Sequence, residues 1–257
     1  MISIRDLRIA YDGRVVAHVP ELDLSAGTIM GIAGESGSGK SQTALAVMGL
    51  SGYAGAHVSG SITLDGQELT TKSRREWQTI RGRRIAMIMQ SPRAALNPTV
   101  TLGTLFRRSL RLHGVSRADS KARMRTALDE VVLSPDILDR YPHQVSGGQA
   151  QRFAIALVSA LRADVVIADE PTSALDVTVQ AEVIEVLRDL RDRHGTAMLF
   201  ISHDLAVISE LADSVTIMRH GEVVESGPTA LVMQTPRQVY TRELLAAVPT
   251  IRRGDPQ

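Results

Sequence analysis

Eight consecutive residues, Gly34, Glu35, Ser36, Gly37, Ser38, Gly39, Lys40 and Ser41, carry the densest chemistry in the chain. They match Gly-x-x-x-x-Gly-Lys-Ser/Thr, the spacing of a loop that cradles phosphate. Glycine lets such a backbone curl until successive N–H groups converge on phosphate oxygens. Lys40 is expected to reach the β- and γ-phosphates, and the Ser41 hydroxyl to bind Mg²⁺. A helix beginning near Gly39 adds the positive end of its dipole, with Gln42 in its first turn beside the nucleotide.

Other residue types suit the same chemistry if the fold gathers them. Asp169 ends an apolar run, where a rigidly held carboxylate can serve Mg²⁺. Glu170 beside it can take a proton from an attacking water or orient that water. Two acids can also simply cap a strand, and the phosphate loop is what favours the catalytic reading. Gln90 could reach Mg²⁺ or the water through its amide oxygen, and His203 could donate to a γ-phosphate. Each alone would be an ordinary structural residue, and each gains weight only from position. Ser146, Gly147, Gly148 and Gln149 form a second glycine loop opening a helix, hence a second anion site. One chain rarely needs two γ-phosphate cradles, so the second is expected to serve another subunit's nucleotide.

The elements that must position these groups follow from apolar patterning. Residues 28–33 form a β-prone run before the phosphate loop and residues 41–50 read as a helix after it, the setting the motif requires. Residues 2–10 read as a strand, Asp12-Gly13 is a hairpin signal, and residues 15–24 continue the β pattern. Residues 61–64 with the Asp65-Gly66 turn extend this β-rich first third. Residues 84–89, 165–168 and 198–201 read as buried strands. Met124, Ala127, Leu128 and Val131 recur at i, i+3, i+4 and i+7, one stripe of a helix. Arg117, Lys121, Arg123 and Arg125 crowd its other face, as a solvated or docking surface. Residues 149–161 read as a buried helix, and Val179, Val183, Val186, Leu187 and Leu190 mark an amphipathic one. Residues 215–218 and 223–224 around His220-Gly221 predict a late hairpin, and residues 252–257 are expected to fray. Apolar strands alternating with helices argue for a parallel sheet covered on both faces, which binds ligands beyond its strands' carboxyl ends. The phosphate loop, Gln90, Asp169-Glu170 and His203 each follow such a strand, so one shared site is expected.

Composition narrows the rest. A chain of 257 residues can bury a substantial core as one large domain, or one with a subdomain. A net charge of +1 gives no basic field for nucleic acid, and without cysteine there is no disulfide, iron–sulfur cluster or cysteine-ligated zinc. No apolar run approaches the roughly 20 residues that span a bilayer, and the start lacks a signal-peptide core. The chain is therefore expected to stay in the cytoplasm and to reach a membrane only through a partner.

Taken in order, these motifs resemble those of an ATP-binding cassette (ABC) ATPase, the nucleotide-binding subunit of a transporter. Tyr11 is similar to the family's adenine-stacking aromatic residue, and Gln90 stands where the family has its Q-loop glutamine. Val145-Ser146-Gly147-Gly148-Gln149 resembles the Leu-Ser-Gly-Gly-Gln signature with valine for leucine. Asp169 and Glu170 match the Mg²⁺ aspartate and catalytic glutamate, Ser173-Ala174-Leu175-Asp176 the D-loop, and His203 the switch histidine.

The resemblance implies an α/β fold: a P-loop ATPase core with an N-terminal antiparallel β subdomain and an inserted helical subdomain. It implies one nucleotide-binding domain over residues 1–257. Its core and β subdomain would take 1–90 and 162–235, its helical signature subdomain 91–161, and its tail 236–257. It implies ATP and Mg²⁺ as ligands, a paralogous second ABC ATPase subunit, two permease subunits and an extracytoplasmic solute-binding protein. The chain would sit peripherally at the cytoplasmic face of the membrane.

A narrower resemblance is to the peptide/nickel importer group. It is carried by Gln90-Ser91-Pro92-Arg93-Ala94-Ala95-Leu96-Asn97-Pro98 and by the Tyr-Thr-Arg-x-Leu-Leu tail that begins at Tyr240 and runs to Pro249. Its solutes would be peptides, or nickel and other metal chelates. An exporter cassette or a DNA-repair ATPase is the alternative within the ABC family. The first is commonly fused to membrane helices and the second carries long coiled-coil insertions. A P-loop kinase or GTPase leaves Ser146 to Gln149 and His203 without a role.

Overall fold

The computed structural model describes residues 1–173 and 175–247. In chain order, β1 (Ile2–Tyr11) and β2 (Arg14–Leu24) form a hairpin, and β3 (Ile29–Ala33) leads through the phosphate loop into α1 (Lys40–Val47). Then come β4 (His57–Leu64), β5 (Gln67–Glu68), α2 (Arg74–Ile80) and β6 (Ile85–Ile88). A helical stretch follows: α3 (Pro92–Ala95), α4 (Leu102–Leu112), α5 (Arg117–Glu130) and α6 (Gly147–Leu161). The chain returns through β7 (Val165–Asp169), α7 (Val177–His194), β8 (Ala197–Ser202), α8 (Leu205–Leu211), β9 (Ser214–Arg219) and β10 (Glu222–Pro228). The last elements among the described residues are α9 (Thr229–Gln234) and α10 (Val239–Ala246). Ala174 of the D-loop, Val248 and Pro249 of the tail and the segment 252–257 lie outside the described residues.

The ten strands among the described residues join one sheet in the order β5-β4-β1-β2-β10-β9-β3-β8-β7-β6. Its half from β9 to β6 is parallel, with β3 between β9 and β8. The strands from β5 to β2 pair antiparallel, β10 joins β2 by one parallel pairing at Glu222 and His18, and the antiparallel β10–β9 pair links this half to the parallel one. Burial explains the difference. Every residue of β3, β7 and β8 is buried, as expected for strands covered on both faces, whereas β1 alternates buried and exposed positions.

Period-two alternation sorts the parallel strands' side chains between two cores. Ile29 and Ala33 of β3, with Met198 and Phe200 of β8, face the helices from α4 to α8. Met30, Ile32, Leu199 and Ile201 face α1 and the antiparallel strands. Within the helical stretch, Phe106 of α4 meets Phe153 of α6 edge-on, their ring centroids 5.6 Å apart. Helix starts follow their sequence signals. Ser73 and Ser146 each close a capping box, with Glu76 and Gln149, while Thr101, Ser116 and Asp176 accept first-turn N–H groups.

Candidate functional site

The parallel order places β3, β8, β7 and β6 side by side, so the residues following each strand share one edge of the sheet. A cleft of about 870 Å³ opens there. It is lined by the phosphate loop from Gly34 to Ser41, with Tyr11, Gln42, Gln90, Glu170 and His203, and also by Val16 and Leu244.

The loop is wound for anions. Gly34, Gly37 and Gly39 all have positive φ, and α1 begins at Lys40 directly behind them. At Gly34 a side chain would force the backbone to move, since a Cβ would lie 2.1 Å from the Met218 carbonyl oxygen. Lys40 is 4% exposed, and its Nζ donates to the carbonyls of Gly34 (2.8 Å) and Glu35 (2.7 Å). Burial pushes its pKa down, against the pull of Glu170, Asp169 and Glu35. A desolvated ammonium held by two carbonyls and, at 3.4 Å, the Ser38 hydroxyl, all neutral, gains most from an arriving anion.

Asp169 lies at the end of β7, 9% exposed, and its Oδ1 accepts from the Ser41 hydroxyl at 3.1 Å. Burial holds its carboxyl above the usual aspartate range; the Ser41 hydrogen bond opposes this, the Glu170 charge adds to it and Lys40 opposes it. A buried carboxylate kept at a cost and paired with a hydroxyl is a site short of positive charge. Two hard oxygens suit Mg²⁺, which takes its remaining ligands from phosphates and water. The residues present therefore fit the ion.

Glu170 departs from the strand with φ 46°, while its N–H still donates to the Ile201 carbonyl of β8 at 2.9 Å. Its carboxylate is held at both oxygens. Gln90 Nε2 donates to Oε2 at 2.7 Å, and His203 Nδ1 lies 3.2 Å from Oε1. Gln90 thus spends its amide nitrogen on Glu170 and keeps its oxygen for the cleft. Tyr11 donates to Gln42 Oε1 at 2.8 Å, which fixes both at the cleft wall.

The second glycine loop does not line this cleft. Ser146 and Gln149 cap α6 through their reciprocal bonds, and a Cβ on Gly148 would lie 2.8 Å from Val179 Cγ1, so the loop seats against the start of α7. Asp176 caps that same helix by accepting from the Val179 N–H at 3.0 Å. The Ser146 to Gln149 loop and Asp176 therefore share a second place, apart from the phosphate loop.

A family model described as ABC transporter matches residues 18–173. The chain belongs to that family. The match stops before Asp176 and His203. The peptidoglycan transport ATP-binding protein YejF of Agrobacterium fabrum is 42% identical over 265 residues, which cover 100% of this chain and 48% of that one. The glutathione import ATP-binding protein GsiA of Salmonella typhimurium is 42% identical, over 98% of this chain and 42% of its own. This cassette thus spans about half the length of those two relatives. A putative peptide import ATP-binding protein of Brucella melitensis, BMEII0206, is 40% identical over 98% of this chain and 78% of its own. Among solved structures, the dimeric post-hydrolysis state of the ATP-binding cassette MJ0796, bound to ADP and Pi, superposes with a TM-score of 0.78 at 24% identity. It covers 89% of this chain and 99% of that one, which establishes the cassette fold. Among the described residues no helix of this ABC chain is long and apolar enough to cross a membrane.

Val16, Leu244 and Tyr240 touch the loop or its cleft without having been expected there. Tyr240 and Leu244 lie about two hundred residues beyond the loop, and no local pattern announces such a contact.

Proposed function

We propose that this chain is the ATP-binding and ATP-hydrolysing subunit of a membrane importer. The observation that carries this is the gathering of Lys40, Ser41, Asp169, Gln90, Glu170 and His203 from four neighbouring strand ends around one cleft. In this reading the 34–41 backbone and Lys40 hold the nucleotide's phosphates while Tyr11 lies against its base. Ser41 Oγ and Asp169 hold Mg²⁺, with the Gln90 amide oxygen within the same wall. Mg²⁺ supplies charge neutralisation on the phosphate oxygens. Glu170 takes the proton of the attacking water on its carboxylate, oriented by Gln90 and His203.

The Ser146 to Gln149 loop and Asp176 complete the cleft of a second ABC ATPase subunit, a paralogue, when the two cassettes close. Residues 1–90 and 162–235 serve as the ATPase core with its β subdomain, 91–161 as the helical subdomain, and 236–257 as the tail. The relatives named for peptide, glutathione and peptidoglycan transport favour a peptide-class solute over nickel or another metal chelate.

Coupling to two permease subunits is assigned to the stretch from Gln90 to Arg140, and a solute-binding protein would deliver the solute on the far side of the membrane. The chain would be peripheral at the cytoplasmic face. A groove of about 1170 Å³ lined by Arg107, Arg108, Arg111, Arg117, Lys121 and Arg125 supports that docking role for α4 and α5. Leu102 is fully buried and has no part in it. Co-purification with permeases, followed by ATPase assay against peptides, tests the whole reading. Peptide-stimulated turnover in the complex is expected, and robust turnover by the isolated chain at every protein concentration would contradict it.

A further inference from the structure

The C-terminal helix reaches back to the phosphate loop. Tyr240, 5% exposed, accepts on its hydroxyl from the Glu35 N–H at 3.3 Å. The carbonyl of that same peptide unit belongs to Gly34 and accepts from Lys40 Nζ at 2.8 Å. One peptide plane therefore links Tyr240 on one side to the Lys40 ammonium on the other.

The tyrosine is itself fixed from several directions. The Arg219 guanidinium lies 4.4 Å from its ring centroid, a cation–π contact that pins the ring. Glu225 of β10 accepts from the N–H groups of Arg237 (2.8 Å) and Gln238 (3.2 Å), which anchors the start of α10. One turn beyond Tyr240, Leu244 lines the cleft. Burial raises the Tyr240 pKa above its ordinary value.

Resting on the nucleotide reading above, we propose that Tyr240 is a positioning residue for that site: it fixes the Gly34–Glu35 peptide and through it the place of Lys40. Its effect should fall on phosphate binding more than on folding. The loop is held elsewhere as well, since the Gly221 N–H donates to the Ser38 carbonyl at 3.2 Å. Losing the Tyr240 hydroxyl would free one peptide, not the whole loop.

The test compares wild type with Tyr240→Phe, which keeps the ring under Arg219 and deletes only the oxygen, by calorimetric titration with Mg·ATP and by thermal melting. The dissociation constant is expected to rise about 2- to 10-fold, the size of one neutral hydrogen bond, with the melting temperature held. Equal ATP affinity in the two proteins would overturn the positioning role, whether the melting temperature holds or falls. A wild-type chain that binds no Mg·ATP would overturn the nucleotide reading itself and this inference with it, a different result from equal binding.

Discussion

Gln90 on the exit of β6 donates to Glu170 on the exit of β7 across 2.7 Å, joining two strand ends at the carboxylate. His203, on the exit of β8, approaches the other oxygen at 3.2 Å. Glu170 holds a left-handed φ that favours glycine, a strain costing on the order of 1–3 kcal/mol. Backbone bonds to the Ile201 carbonyl and from the Ser173 N–H hold it there.

Such placement predicts a split phenotype for Glu170→Gln. The amide keeps the shape but cannot accept the water's proton, so turnover in the assembled complex should fall roughly 10²–10⁴-fold. ATP affinity should hold or rise, because a negative charge leaves the cleft. Single-turnover hydrolysis beside equilibrium ATP binding reads both. If nucleotide is lost as severely as turnover, Glu170 belongs to the metal site.

Asp169→Asn should behave in the opposite way. The folded-state carboxyl titrates above its ordinary 3.8, chiefly through burial, so its ionised form costs stability at every pH above that value. The penalty grows as pH rises through the folded pKa and vanishes in acid. The nucleotide-free variant should therefore melt higher than wild type at pH 7, with the gap closing below about pH 4. Its Mg²⁺-dependent ATP affinity should fall sharply. A lower melting temperature at pH 7 would contradict the assigned burial penalty.

Glu68 gives a pH test far from the cleft. Burial alone would raise its pKa, but hydrogen bonds from Ser61, Thr70 and Ile62 outweigh it and lower it to about 2 from 4.5. Ionised Glu68 thus stabilises the fold above pH 4.5, and that contribution is lost as pH falls from 4.5 to about 2. Urea midpoints of wild type and Glu68→Gln should differ at pH 7 and converge toward pH 2. A gap that stays constant across this range would rule out the titration.

Gly34→Ala should damage folding and binding together. The added Cβ would meet the Met218 carbonyl at 2.1 Å with φ at 149°. Rearranging β9 or the loop to relieve it should cost about 1–3 kcal/mol. A lowered denaturation midpoint together with weakened ATP binding is expected. Wild-type values for both would mean that the loop has another resting shape.

The strands that build the cleft were legible because each is a short apolar run bounded by polar or turn residues. The runs at 28–33, 84–89, 165–168 and 198–201 became β3, β6, β7 and β8 with only their ends adjusted. Their shared edge followed from the rule for parallel sheets, which brought Gln90, Glu170 and His203 to the phosphate loop. Register and long-range contact were not legible. Nothing in the local pattern around Tyr240 distinguishes a helix lying on the surface from one bonded to Glu35, 205 residues away. The late hairpin was readable as a hairpin, but not that β9 would lie parallel to β3 inside the main sheet. Such placements depend on which surfaces remain open once the core has formed.

Titration of the purified chain with Mg·ATP, beside Lys40→Ala, probes the central claim most directly. Lys40 Nζ, buried and desolvated among loop carbonyls, is the charge that an arriving triphosphate would neutralise. Hydrogen bonds to charged groups contribute about 1.5–3 kcal/mol each, so removing Nζ should weaken binding by at least 10- to 100-fold. Saturable binding by wild type and its loss in the variant are the predicted results. Undiminished affinity in Lys40→Ala would mean that the cleft is not a phosphate site.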